Sequence, residues 1–147
     1  MLKFLASGPN GWTLGGLTSQ QWQLVDLAAY ATEIDAGRVR LDARVSFNRV
    51  AGDRTDRRFD LRILAMQDVP ARFPAKYPPP ADQIRAGTVQ AMPNGWQEVA
   101  VAFDPLPQGA RSVAVEIYPW EDVQDDAASE FAGHYADDAS LILTLKP

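Results

Sequence analysis

An antiparallel β-sandwich of jelly-roll type, an all-β fold, is what this sequence predicts, and three observations predict it. Several segments alternate apolar and polar residues with a period of two, the signature of strands buried on one side. Stretches rich in Gly, Pro, Asp and Asn separate them. No segment keeps a 3.6-residue period over three turns, so helical crossovers between parallel strands are missing and antiparallel pairing follows. Two packed sheets are the natural way to bury so many one-sided strands. At 147 residues the chain has the size of one domain, residues 1–147, with a substantial core.

Each element can be justified in turn. Residues 1–19 carry Gly8, Pro9, Gly11, Gly15 and Gly16 and read as an irregular N-terminal segment, with Trp12 and Leu14 in a short strand at most. Trp22, Leu24 and Leu27 begin the alternation, Ala28 to Ile34 reads as a helical turn, and Ala36-Gly37 punctuates it. Arg38 to Asn48 is the clearest strand. Val39, Leu41, Ala43, Val45 and Phe47 face one way, against Arg38, Arg40, Asp42, Arg44 and Ser46. After a polar turn, Phe59, Leu61, Ile63 and Ala65 alternate with Asp60 and Arg62. Residues 67–95 hold six prolines and read as a long Pro-rich loop, with one short edge strand near Thr88 to Ala91. Strands follow through Val99, Val101 and Phe103, and through Val113, Val115 and Ile117. The closing strand sets Leu141, Leu143 and Leu145 against Ser140, Ile142 and Thr144. By the same reading, Trp22 and Trp96 are core or sheet-end packing, and Tyr135, directly before the closing strand, is core.

Composition narrows the function. The net charge of −5 argues against nucleic-acid and anionic-membrane partners, which need a basic surface. No cysteine is present, so disulfides, thiol catalysis and zinc-thiolate sites are excluded. No apolar run is long enough for a signal peptide or a membrane span, which places the protein in the cytoplasm if Met1 is the native start. The sequence contains no G-x-S-x-G, H-E-x-x-H, P-loop or dinucleotide fingerprint, so a non-enzyme is expected.

Four blocks in order carry a resemblance to a known family: Trp22-Gln-Leu-Val-Asp-Leu, then Phe59-Asp-Leu-Arg-Ile-Leu after a charged turn, then Trp96-Gln-Glu-Val-Ala-Val-Ala-Phe. The fourth is Pro107-Gln-Gly-Ala-Arg-Ser-Val, running on to Phe131-Ala-Gly-His-Tyr and Ala139-Ser-Leu-Ile-Leu. From about residue 20 onward the chain resembles the galactose-binding-like superfamily, and within it the F-box-associated sugar-binding domain. The resemblance implies a jelly roll without catalytic machinery that holds a glycan in loops at one end. It puts a sugar-stacking ring at Phe131 and a polar contact loop at Gly52 to Asp56. Glu130 stands where that family has an aromatic and His134 where a Trp is common. No F-box motif precedes the domain, so the ubiquitin-ligase adaptor role does not carry over.

The residues themselves bear on each of these positions. A loop aromatic flanked by acids suits the C–H face of a sugar, which points to Phe131; capping the core is the other reading of that ring. Glu130, His134 and Asp56 can hydrogen-bond hydroxyls, and Trp120, in a turn-rich stretch, is a second candidate ring. A lone His with no Cys is poorly suited to a transition metal. Asp125, Asp126 and Asp137 belong to the densest acidic stretch and could hold a structural Ca²⁺ through hard oxygen ligands. They lack the D-x-D-x-D-G spacing of a dedicated loop, so a solvated acidic loop is the competing reading. Two function classes result. One is a non-catalytic carbohydrate-binding module for a glycan or glycoprotein. The other is a protein-interaction or structural domain of a larger assembly, which an exposed apolar patch instead of a sugar-sized pocket would favour.

Overall fold

The computed structural model describes residues 2–3, 17–18, 20–49, 56–70, 83–90, 95–121 and 135–147. Among them the period-two segments become nine strands. These are β1 (Leu2–Lys3), β2 (Leu17–Thr18), β3 (Gln21–Asp26), β4 (Val39–Arg49), β5 (Asp56–Met66), β6 (Gln83–Gln90), β7 (Gly95–Phe103), β8 (Ser112–Glu121) and β9 (Tyr135–Leu145). A 3-10 turn (Ala28–Tyr30) and one short helix, α1 (Ala31–Asp35), link β3 to β4. No helix among the described residues is long and apolar enough to cross a membrane.

All pairings are antiparallel. One sheet has the order β1-β9-β4-β7; the other has β2-β8-β5-β6, with β3 also on β8. β2 and β3 meet β8 in the same register, Thr18 opposite Trp120 and Gln21 opposite Ile117, so they form one interrupted edge strand. Pairs β5·β6, β4·β7, β3·β8 and β1·β9 nest outward from a single hairpin, and successive pairs alternate between the sheets. That is the wrapped hairpin of a jelly-roll β-sandwich, as the sequence predicts.

The core lies between the sheets. Val39, Leu41, Val45 and Phe47 from β4 meet Phe59, Leu61 and Ile63 from β5, each with 0–1% exposure, and the Phe47 and Phe59 rings stand 5.3 Å apart. Burying each such side chain contributes roughly 1.5–3 kcal/mol. Helix α1 closes one end of the sandwich by burying Ile34 beside Leu27 and Leu106. Gly37, at φ +70°, ends the helix in the left-handed region, and its N–H donates to the Ile34 carbonyl. Asp35 then ties this end together, accepting from the Gly109 N–H at 3.0 Å and from both terminal nitrogens of Arg111 at 3.1 and 2.7 Å.

The connections β1–β2, β4–β5, β6–β7 and β8–β9 all leave from the opposite end, where the paired Asp56 and Glu121 also lie.

Several expectations change. The Pro-rich region holds a full eight-residue edge strand, β6, in register with β5 from Arg58 opposite Gln90 to Ala65 opposite Gln83. All six prolines fall outside it, so nothing interrupts its ladder. At Gly87 the two sheets come so close that a Cβ would lie 2.8 Å from methyl groups of Val99 and Val101. The N-terminal segment contributes two short strands, β1 and β2; Trp12 and Leu14 lie outside the described residues. The closing strand is buried less than its leucines imply. Leu141 and Leu143 are partly buried and Leu145 is 50% exposed; among the described residues β1 pairs only with the first two residues of β9.

Candidate functional site

Strand β9 leaves regular pairing near its middle. Ser46 of β4 faces Asp137 and Arg44 faces Ser140, so Asp138 and Ala139 together oppose the single residue Val45. This is a β-bulge, with Asp138 at φ +53°, a left-handed conformation that Asp tolerates better than most residues. Beyond the bulge, β9 has no neighbour on its outer side among the described residues, and β3 is likewise an edge of the other sheet among them. Between these two edges opens a cleft of about 830 Å³.

Its floor is apolar: Val25, Val115 and Ile117 from one sheet, Ala136 and Leu141 from the other. Its polar lining consists of Gln21 and Gln23 on β3, with Asp137, Asp138, Ser140 and Arg44 across the gap. Strand alternation explains the division. Val25 packs on the core, so Gln21 and Gln23 share its side, whereas Leu24 packs with Leu64, Met66 and Ala114 on the sheet's outer face. Trp22 shares the phase of Leu24 and, 40% exposed, stands at the cleft's rim. Arg44 reaches over β9 and its Nε donates to Ser140 Oγ at 3.1 Å. Among the described residues its two terminal nitrogens have no hydrogen bond or ion pair. Donors (Arg44, the Gln amides) and acceptors (Asp138, the Gln carbonyls) are therefore mixed above aliphatic carbon.

A second polar group lies on the outer face of the five-stranded sheet. Asp60 and Glu116 are only 1% and 2% exposed, and Arg62 stands 3.9 Å from one and 3.8 Å from the other. The Arg62 guanidinium also lies 4.9 Å from the centre of the Tyr118 ring. Burial raises the Glu116 carboxyl above its ordinary value; the Arg62 charge pulls it down and the Asp60 charge adds to the rise. Burial, and then a hydrogen bond to Asp60, push the Tyr118 hydroxyl upward as well.

Phe131, Glu130, His134, Asp125 and Asp126 lie outside the described residues. Asp56 opens β5 opposite Glu121, and Arg58 pairs with Trp120, so two of the sequence candidates come together at the loop end. Asp137 lies in the cleft wall. Among the described residues no three His, Cys, Asp or Glu side chains gather as a metal site needs.

Two corrections concern aromatic rings. Trp22 and Trp96, expected in core or sheet-end packing, are 40% and 47% exposed. Tyr135, also expected in the core, pairs with Asn48, next to the inward pair Phe47 and Ala136, and so faces outward. For Trp96 the signal is present in the sequence, since it is out of phase with Val99, Val101 and Phe103. Arg44 and Ser140 were legible only as members of polar faces; their meeting across two strands depends on the register of the bulge.

No protein-family profile and no curated protein matches the chain. Among solved structures it is similar to the CBM22-2 xylan-binding domain from Paenibacillus barcinonensis Xyn10C, at 8% sequence identity and a TM-score of 0.40. That match covers 82% of this chain and 70% of the other. The strand order described above defines the jelly-roll sandwich independently of that likeness.

Proposed function

We propose that the protein is a non-catalytic carbohydrate-binding module of the galactose-binding-like type. The cleft beside the β9 bulge carries this reading. A sugar presents hydroxyls that both donate and accept, together with an aliphatic C–H face. The cleft answers both, with mixed donors and acceptors around a floor of Val25, Val115, Ile117 and Leu141. Its volume falls within the range of small-molecule pockets. A purely anionic ligand suits it less, because Asp138 in its lining would repel it.

The loops at the same end complete the proposed site. Phe131 stacks on the sugar, Glu130, His134 and Asp56 hold hydroxyls, and Trp120 offers a second ring. Support comes from connectivity: the β8–β9 connection that carries Phe131 returns at Tyr135, two residues before Asp137 of the cleft wall.

The test is a glycan array with the purified protein, run with calcium and again with EDTA. Binding is expected in wild type and is expected to fall in Arg44→Ala, whose exposed side chain leaves the fold intact. Binding lost in EDTA would support a structural Ca²⁺, for which Asp125, Asp126 and Asp137 are the candidates. An array blank under both conditions would sink the carbohydrate reading and leave the protein-interaction class.

A further inference from the structure

At the loop end of the four-stranded sheet, Asn48 of β4 is paired on one side with Trp96 of β7 and on the other with Tyr135 of β9. The three side chains form one row on the outer face, because the adjacent row, Phe47 with Gln97 and Ala136, holds Phe47 and Ala136 in the core. Strand spacing sets Trp96 and Tyr135 about 10 Å apart with the amide between them. Trp96 is 47% exposed, and Asn48 and Tyr135 are half-buried. Among the described residues, none of the three makes a side-chain hydrogen bond or a ring contact. Lower on the same face the polar groups are engaged: Arg44 with Ser140, and Arg40 with Asp42. Along β7 the outward residues after Trp96 are Glu98, opposite Ser46, and then the small Ala100 and Ala102.

The row is continuous with the cleft. Asp137, part of the cleft wall, is the next outward residue after Tyr135 on β9 and faces Ser46, one row below Asn48. The cleft wall and the row are therefore consecutive outward positions of β9, at Asp137 and Tyr135.

Resting on the carbohydrate reading above, we propose that the ligand is an extended, neutral, β-linked oligosaccharide rather than a single sugar. Its chain passes from the cleft past the β9 bulge and across three strands, and one of its rings stacks on Trp96. Equatorially linked pyranoses form a flat ribbon, which suits a sheet face. Asn48 and the Tyr135 hydroxyl hydrogen-bond the ring hydroxyls between. Trp96 thus acts as a distal aromatic subsite that sets preference for chain length.

The experiment titrates the protein with linear β-1,4-linked gluco- and manno-oligosaccharides of one to six residues, read by calorimetry and tryptophan fluorescence. Affinity is expected to rise with length, and Trp96→Ala to weaken the hexasaccharide about tenfold while leaving the disaccharide unchanged. Trp96→Phe, which keeps a ring, should retain most of the gain. Circular dichroism checks that both variants fold. Length-independent binding, or a Trp96→Ala variant that still prefers long chains, would overturn the platform and leave the cleft reading standing. The same holds if the array binds only branched or single sugars. No binding to any glycan, in the array or in solution, would overturn both.

Discussion

On the outer face of the four-stranded sheet, Arg40 binds Asp42 at 2.6 Å and Asp104 at 2.9 Å, and all three side chains stay more than a third exposed. Lys146 closes on the other oxygen of Asp104. On the outer face of the five-stranded sheet, Arg62 lies at nearly 4 Å from two carboxylates, Asp60 and Glu116, that are almost wholly buried. Both arrangements come from the same alternation of charged and apolar residues along a strand. The close pairs sit in water, where screening leaves them little weight. The distant ones sit where desolvation is costly and each missing partner is felt. Short distance is therefore a poor guide to importance here, and depth a good one.

Substitutions can break this comparison. The largest effect is expected from Arg62→Ala, which removes a cation that Asp60 and Glu116 share. A loss of about 3 kcal/mol is expected, the lower end for a broken buried pair because Arg62 itself is partly exposed. Urea unfolding measures it, and a midpoint equal to wild type would show that the buried carboxylates need no counter-charge.

Ser112→Ala, on the same face, should cost about 1 kcal/mol, since it removes the fully buried hydroxyl that donates to the Asp68 carbonyl at 2.6 Å. Unfolding at the wild-type midpoint would show that this hydrogen bond contributes nothing.

The pH dependence of the two faces should have opposite signs. The folded state raises the pKa of Glu116, so its contribution is greatest below the ordinary Glu range and fades as pH rises through the folded value. Glu116→Gln should therefore gain on wild type as pH rises above the ordinary Glu range. Asp104 is held low, first by its hydrogen bond from Lys146 and also by Arg40, and Asp42 is held low chiefly by the hydrogen bond from Arg40. Their contribution is full above the ordinary Asp range and is lost as pH falls through the lower folded values. Asp42→Asn should lose stability relative to wild type at neutral pH and converge with it in acid. Parallel curves for the two variants would remove the distinction between the faces.

Arg40→Ala should have the smallest effect, a shift in urea midpoint below that of Ser112→Ala and shrinking further with added salt. A loss as large as that of Arg62→Ala would mean that the exposed network carries the weight here assigned to depth.

Much of this fold was legible beforehand. The facing of β4 follows residue by residue from its alternation, and Gly37 marks the end of α1 as its neighbours imply. The candidate site was legible only in parts. The acidic, aromatic stretch before β9 drew attention to residues such as Phe131, whereas the cleft is lined by Gln21, Gln23, Arg44 and Ser140, ordinary members of polar strand faces. Trp96 was readable as outward by its phase, but a tryptophan's usual preference for burial argued the other way.

The sequence by itself determined which residues share a side, because the strand period is a property of the local backbone and needs no partner. Only the tertiary structure decided which of those sides meet water. Asp60 and Asp42 are equivalent in pattern and opposite in exposure, since burial depends on the whole assembled sandwich. The same is true of the cleft. Its two walls are edge strands far apart in the chain, brought together by a strand order and a one-residue bulge in pairing that no local pattern encodes.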